Sequence, residues 1–409
     1  MKPTGPAEAR VDDTSTLLVA PPALRGHDLL KDFLGSTVTP EDLASGSYDL
    51  AGKHVYLCGD ISGISGRRLA AAARVRVVRE LSDGDRDDTG ESWPVVGVGR
   101  LPLRVHGVGV YYRRFFGLDD DHFGRIRAEH AFQSLTESTK PGTALRSGIY
   151  LTPVVRDGDE LHFRLLRCST NLSGPTEGFG PTDTAIVDAL NLEAAAVLRD
   201  HAPLNHVLAQ IYHNTRATAE RKQSKARISA HADKTKDMPA DGIMAFCTFY
   251  EGLDELGPLA GDAFDRGVKG ASALTRLRFR LKDPAGDGEG GTLPQGFTVT
   301  LHPGSVFFMP LSTNRLYTHE VRPSGLDADV LPTRLGYVVR CSSAEAVHKD
   351  GHTYLKKAGE LVRLEPPTPD GMDALRGLYA EENRTSSSID YGDEFLFSMN
   401  TGDYRAPRV

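Results

Sequence analysis

Arg276-Leu277-Arg278-Phe279-Arg280-Leu281 sets an apolar side chain at every second position with arginines between them. This is the pattern of a strand that has one face in a core and the other in water. A helix would scatter the two kinds of side chain around its circumference, because its side chains return to one face only every three or four residues. Segments of the same length and character flank it: His206 to Tyr212, Ala226 to His231, Ile243 to Phe249, Phe297 to Leu301, Ser305 to Met309, Leu316 to Val321 and Leu335 to Cys341. Their spacing is that of an all-β sandwich or barrel, and eight strands is the number of a jelly roll. Gly and Asp dominate Pro284 to Gly291, which reads as a loop.

Upstream, Asp183 to Arg199 carries Ile186, Leu190, Ala194, Val197 and Leu198 near helical spacing, and Asp157-Gly158 is a hairpin turn signal. Val110-Tyr111-Tyr112 reads as a strand, and Asp119-Asp120-Asp121 caps a helix bearing Phe123, Ile126 and Phe132. The first hundred residues have another texture. A strand reading at His54 to Leu57 is followed by Gly59 to Gly66, which lacks the Lys-Ser/Thr ending of a phosphate loop, and then by an Arg/Ala-rich stretch read as helical from Arg67 to Arg79. The acidic Ser82 to Asp88 tract reads as a linker, with a boundary between it and Val108. The expected organisation is α+β: residues 1-104 as an extra N-terminal region of unknown role, 105-345 as a double-stranded β-helix (jelly-roll) core braced by helices, and 346-409 as a C-terminal extension with a short helix.

The chain has 409 residues, 39% hydrophobic and 25% charged, enough for two or three cores. Its formal net charge of -7 argues against nonspecific coating of nucleic acid. Cys58, Cys168, Cys247 and Cys341 lie far apart with no paired spacing, so neither a zinc knuckle nor a disulfide framework is expected. With no apolar leader and no long apolar run, the expectation is a cytoplasmic protein without a membrane partner, the nucleus left open.

The chemistry is concentrated in a few residues. His231 and Asp233, two positions apart at a strand end, share one face, and a folded-over sheet brings back His319, 86 positions beyond Asp233 (319 minus 233). Two imidazoles and one carboxylate on one side of a metal leave its other positions open, as in non-haem Fe(II) oxygenases. Arg334 and Arg340, six apart, share a strand face, and a buried guanidinium calls for an anion that it can hold through two parallel bonds.

These motifs together resemble the AlkB-like branch of the Fe(II)/2-oxoglutarate-dependent dioxygenases, over Val108 to Cys341. Leu204 to Tyr212 resembles the strand before the iron motif, and His231-Ala232-Asp233-Lys234 the motif itself. Gly304 to Met309 with Thr313 to His319 resembles the segment ending in the second histidine, and Arg334-Leu335-Gly336-Tyr337-Val338-Val339-Arg340 the Arg-x5-Arg signature. The resemblance implies Fe(II) as the metal, on His231, Asp233 and His319, and 2-oxoglutarate and O2 as cosubstrates. It puts Arg334 on the distal carboxylate, Arg340 near the chelating end, and Tyr212 and Gln210 against the cosubstrate.

The chain departs from the family pattern at Gly336, Val338 and Ile211, and in a charged insertion carrying Arg216, Glu220, Arg221, Lys222 and Lys225. Thr235 and Lys236, just past the metal aspartate, are the expected substrate-binding positions. The implied activity is oxidation of a C–H bond, by hydroxylation or oxidative demethylation, of a nucleobase in DNA or RNA. The alternatives are hydroxylation of a protein side chain or small metabolite, and a non-catalytic binding module.

Overall fold

The computed structural model describes residues 7–83, 93–136, 143–167, 172–282 and 293–409. The acidic tract from residue 84, residues 168–171 and the Pro284 to Gly291 loop therefore lie outside the described residues.

Every strand read from the alternation between residues 206 and 341 is present, and together they form two antiparallel groups. His206–Tyr212, Thr333–Arg340, Ile243–Glu251 and Val306–Pro310 lie side by side at the centre of a nine-stranded sheet. Ile228–His231, Tyr317–Arg322, Arg276–Leu281 and Gly296–Thr300 form a four-stranded sheet. One hydrophobic cluster joins the groups, with Met244, Phe246, Phe307 and Met309 from the large sheet meeting Leu277, Phe279, Val299 and Tyr317 from the small one. The alternation of Arg276–Leu281 is explained by this arrangement: Leu277 and Phe279 are buried there, and Arg276, Arg278 and Arg280 point to water.

The other face of the large sheet is apolar too and is covered by helices. Pro181–Val197 supplies Ile186, Val187, Leu190 and Ala194, and His122–Glu129 supplies Phe123 and Ile126, against Val207, Ala245, Leu335 and Tyr337. The shorter helix starts where the aspartates predicted, with Asp121 Oδ1 accepting from the Gly124 amide at 2.9 Å. Leu316 ends a short helix, Leu311–Leu316, before the strand Tyr317–Arg322 begins.

Residues 1-104 hold a sheet of their own, with strands in the order Ser36–Val38, Thr16–Val19, His54–Asp60, Arg74–Asp83 and Val95–Val96, all parallel. Thr16–Val19 is buried throughout and His54–Asp60 nearly so, as in a parallel sheet covered on both faces. The helical reading of Arg67 to Arg79 is corrected here. Only Gly66–Leu69 is helical, and Arg74–Asp83 is a strand. The Arg74-Val75-Arg76-Val77 alternation and its β-branched residues outweigh the short alanine run before it.

This sheet is pinned to the rest of the chain by a buried ion pair. Arg76 Nη2 lies 2.7 Å from Glu193 Oε2 on the long helix, Arg76 Nη1 donates to the Tyr56 hydroxyl at 2.6 Å, and the Tyr112 hydroxyl donates to Glu193 Oε1 at 3.0 Å. Burial would push the Glu193 carboxyl up, but the Arg76 guanidinium outweighs it and holds the carboxyl below its usual range.

The C-terminal residues are integrated rather than appended. Ala344–Lys349, His352–Lys357 and Glu360–Arg363 extend the Val155–Asp157/Glu160–Leu165 hairpin into a five-stranded sheet. The helix Pro369–Arg384 then packs Leu375 and Tyr379 against Tyr391, Phe395 and Phe397. Among the described residues no helix is long and apolar enough to cross a membrane.

Candidate metal centre

The strand end at His231 and the middle of Tyr317–Arg322 are paired in register, His231 opposite His319. Asp233, two residues beyond His231, turns back toward both rings: its Oδ1 is 3.4 Å from His231 Nε2 and 4.0 Å from His319 Nε2. One ligand atom from each of the three residues lies within 4.8 Å of the others, which is the span of donors around one small ion.

The surroundings orient each ligand. His231 Nδ1 is 2.9 Å from the Ser229 carbonyl oxygen, so that nitrogen carries the proton and the Nε2 lone pair faces Asp233. The His319 ring is packed against Phe246 and Phe279, with centroids 5.5 and 5.8 Å away. Asn314, 1% exposed on the short helix, grips the main chain of Asp233 from both sides. Its Oδ1 accepts from the Asp233 amide at 2.8 Å and its Nδ2 donates to the Asp233 carbonyl at 2.9 Å.

Protonation is also set for metal binding. Burial, with His231 beside it, drives the His319 imidazole down to about 3. Burial alone would raise Asp233, but Arg340 foremost and then the two imidazoles hold its carboxyl well below the usual range. A neutral imidazole and an ionised carboxylate are the forms that ligate a metal without first losing a proton.

The two arginines share the interior face of Thr333–Arg340 but differ in company. Arg340 donates from Nε and Nη2 to Asp233 Oδ2 at 3.0 and 2.7 Å, which leaves Oδ1 for the histidine side. Arg334 is 5% exposed, and no carboxylate pairs with it among the described residues. Its Nε is buried without a hydrogen-bond partner, and its guanidinium lies 3.9 Å from the centre of the Tyr212 ring. The Tyr212 hydroxyl donates to Gln210 Oε1 at 3.3 Å. Gly336 lies close under this group: a Cβ there would sit 3.0 Å from Arg334 Nη1, so a side chain would make the guanidinium give way by a few tenths of an ångström.

Thr235 and Lys236 are occupied within the protein. The Thr235 amide and hydroxyl both donate to Glu382 Oε1, and Lys236 Nζ donates to Asp237 Oδ1 at 2.9 Å. Glu382 and Asn383, whose Oδ1 accepts from the Ala232 amide at 2.7 Å, went unmarked in the sequence, as did the grip of Asn314. No local pattern links them to residue 233.

A second group of metal-binding residue types, Glu129, His130 and Asp183, is committed to internal bonds. His130 Nε2 is 2.6 Å from Asp183 Oδ2, Asp183 Oδ1 accepts from the Tyr337 hydroxyl at 2.7 Å, and Glu129 accepts from Thr182.

The outward face of the small sheet is basic. Arg276 stands directly opposite Arg322, Arg278 opposite Glu320 and Arg280 opposite Thr318. Glu320 pairs with Arg322 at 2.8 Å and with Arg278 at 3.6 Å. A concavity of about 640 Å³ between Arg278, Arg280, Gln295 and Thr298 opens where Gly296 contributes no side chain.

Replacing Asn314 with alanine is expected to weaken metal affinity about ten- to hundred-fold, the usual effect of losing a group that orients a ligand. Metal titration beside a thermal melt checks this, and unchanged affinity would show that Asp233 needs no such grip.

The chain matches no protein-family model and no curated protein. Among solved structures it is similar to the non-heme alpha ketoglutarate dependent epimerase SnoN from nogalamycin biosynthesis, with a TM-score of 0.31 and 13% identity over 64% of this chain and 91% of that one. It is also similar to OsALKBH1, with a TM-score of 0.31 and 12% identity over 59% of this chain and 99% of that one. A bsmA homolog from Methylobium petroleophilum PM1 gives 0.29 and 15% identity over 56% and 82%. Similarity this distant leaves the fold and chemistry of this chain to be read from its own geometry.

Proposed function

We propose that the chain is an Fe(II)- and 2-oxoglutarate-dependent dioxygenase with a jelly-roll core, which oxidises a C–H bond of a nucleobase in DNA or RNA by hydroxylation or oxidative demethylation. The observation that carries this reading is Arg334. A buried guanidinium with no carboxylate beside it is costly, and this one shares the interior strand face of Arg340, which holds the metal-facing aspartate. A dicarboxylate whose far end meets Arg334 and whose other end reaches the His231, Asp233 and His319 cluster would meet both requirements.

In this reading the residues have separate tasks. Arg334 binds the distal carboxylate through paired donors, Tyr212 supports the guanidinium with its ring face, and Gln210 fixes the Tyr212 hydroxyl. Arg340 keeps Asp233 ionised and turned, and Ser229 fixes the tautomer of His231. Bound iron, 2-oxoglutarate and O2 would supply the oxidising power, with succinate and CO2 as co-products. The nucleic-acid part of the reading is supported by the basic outward face of the small sheet, where Arg276, Arg278 and Arg280 stand on the side opposite the inward-pointing His319. Arg322 is paired with Glu320 at 2.8 Å, but Arg276 opposite it and Arg280 have no carboxylate partner among the described residues, and a phosphodiester backbone would supply the missing negative charge.

The test is succinate formation from 2-oxoglutarate after anaerobic reconstitution with Fe(II) and exposure to O2, with and without methylated oligonucleotides. Turnover stimulated by an oligonucleotide, with stimulation fading as salt is raised, is expected. Turnover without stimulation would move the substrate to proteins or small metabolites, and absence of both turnover and iron binding would overturn the oxygenase reading.

A further inference from the structure

We infer that the C-terminal helix Pro369–Arg384 is a strap that holds the metal loop closed, with Glu382 and Asn383 as positioning residues for the iron site; the inference rests on the oxygenase reading above.

The loop from His231 to Asp237 has no strand partner beyond His231, so its main-chain groups need partners from elsewhere. The helix provides them at two points of the loop, three residues apart. The Ala232 amide donates to Asn383 Oδ1 at 2.7 Å, and the Thr235 amide donates to Glu382 Oε1 at 3.2 Å. Lys234 Nζ donates to the Tyr379 carbonyl at 3.2 Å, near the end of the helix. Between these anchors sits Asp233, whose own main chain is gripped by Asn314. At the far end of the loop, Arg167 holds Asp237 through 2.7 and 3.1 Å bonds while donating to the Phe395 and Phe397 carbonyls of the C-terminal tail.

Glu382 shows that this is more than packing. It is buried, 5% exposed, and the Lys282 ammonium is the cation that acts on it, from its main-chain side. Its carboxylate oxygens are held by neutral donors: Oε1 by the Thr235 amide and hydroxyl, and Oε2 by the Tyr391 hydroxyl at 2.5 Å. Burying a carboxylate is costly unless its oxygens are hydrogen-bonded. An apolar side chain would pack this helix face more cheaply, but could not accept the Thr235 amide. Lys282, on the other side of the loop, closes the arrangement by donating to the Glu382 carbonyl at 2.6 Å. Thr235 is thereby assigned to anchoring the metal loop rather than to reading substrate.

The experiment compares the full-length wild type with Glu382→Ala, Glu382→Gln, Asn383→Ala and Thr235→Val, using Mn(II) alone as the probe. It measures Mn(II) affinity and hydrogen exchange of the peptide spanning residues 230–238. Glu382→Ala and Asn383→Ala are expected to bind Mn(II) about ten- to hundred-fold more weakly and to exchange faster in that peptide, with the large-sheet peptides unchanged. Glu382→Gln keeps an acceptor for Thr235 and is expected to stay within about two- or three-fold of wild type, since the orienting bond survives. Thr235→Val, which removes only the hydroxyl, keeps the test open if Glu382→Ala does not fold, and is expected to show a smaller loss in the same direction. Wild-type Mn(II) affinity and exchange in both alanine variants would overturn the strap. Failure of the wild type itself to bind Mn(II) would overturn the oxygenase reading, and the exchange comparison would then decide the strap alone.

Discussion

Asp233→Asn is expected to abolish stoichiometric metal binding and succinate formation while leaving a folded protein. The carboxylate is 8% exposed and divided in function. Its Oδ2 satisfies Arg340 and its Oδ1 faces the histidines. An amide keeps the shape and an acceptor for Arg340 but takes away the negative charge that a divalent ion requires. Alanine is the less clean variant, because it leaves Arg340 buried without its partner, a loss of about 3–5 kcal/mol when one member of a buried pair is removed. His319→Ala is expected to lose metal for the same coordination reason, but opens a gap between Phe246 and Phe279. Metal analysis after anaerobic reconstitution, with circular dichroism as the check on folding, decides the matter. Stoichiometric iron in Asp233→Asn would remove this residue from the ligand set.

Arg334→Met is expected to raise the 2-oxoglutarate requirement by about thirty-fold to several-thousand-fold, from the roughly 2–5 kcal/mol carried by one partner of a buried charge pair. Lysine is not expected to rescue it, since a single ammonium cannot reproduce the planar fork or its stacking on Tyr212. The opposite sign is expected for stability without cosubstrate. Wild type holds a buried guanidinium with no carboxylate partner, so Arg334→Met should melt higher than wild type. Adding 2-oxoglutarate should then raise the melting temperature of wild type by mass action and leave the variant where it was. Equal ligand-induced shifts in the two proteins would mean that the dicarboxylate binds elsewhere.

How much of this was readable in the sequence follows from how local each feature is. The strands of the small sheet were legible because one face is wet and the alternation survives in six residues, as in Arg276–Leu281, and those of the large sheet because they are short apolar runs at regular spacing. The grouping of His231, Asp233 and His319, and the shared strand face of Arg334 and Arg340, were legible because the strand period fixes their spacing. The parallel sheet before residue 100 was not. Only His54 to Leu57 reads as a strand there; Thr16–Val19 is buried throughout and offers no alternation that distinguishes it from a buried turn of helix, and Ser36–Val38 is three residues long. The alanines before Arg74 then favoured the wrong element. Glu382 and Asn383 lie 147 and 151 positions beyond the residues they hold (382 minus 235, 383 minus 232), and a polar residue near the end of a helix is ordinarily solvated. Thr235 looked available for a substrate because its partner was that far away in the chain.

The ion pair between Arg76 and Glu193 bears on which N-terminal modules this fold could accept. An exchange of the first hundred residues for another module would leave the long helix with a buried carboxylate facing nothing, and Tyr112 sharing it. A newcomer would have to bring a cation to the same spot, or the helix would have to lose its glutamate in the same generation. The parallel sheet and the long helix are thus coupled, and exchange at this junction is closed to all but matched pairs.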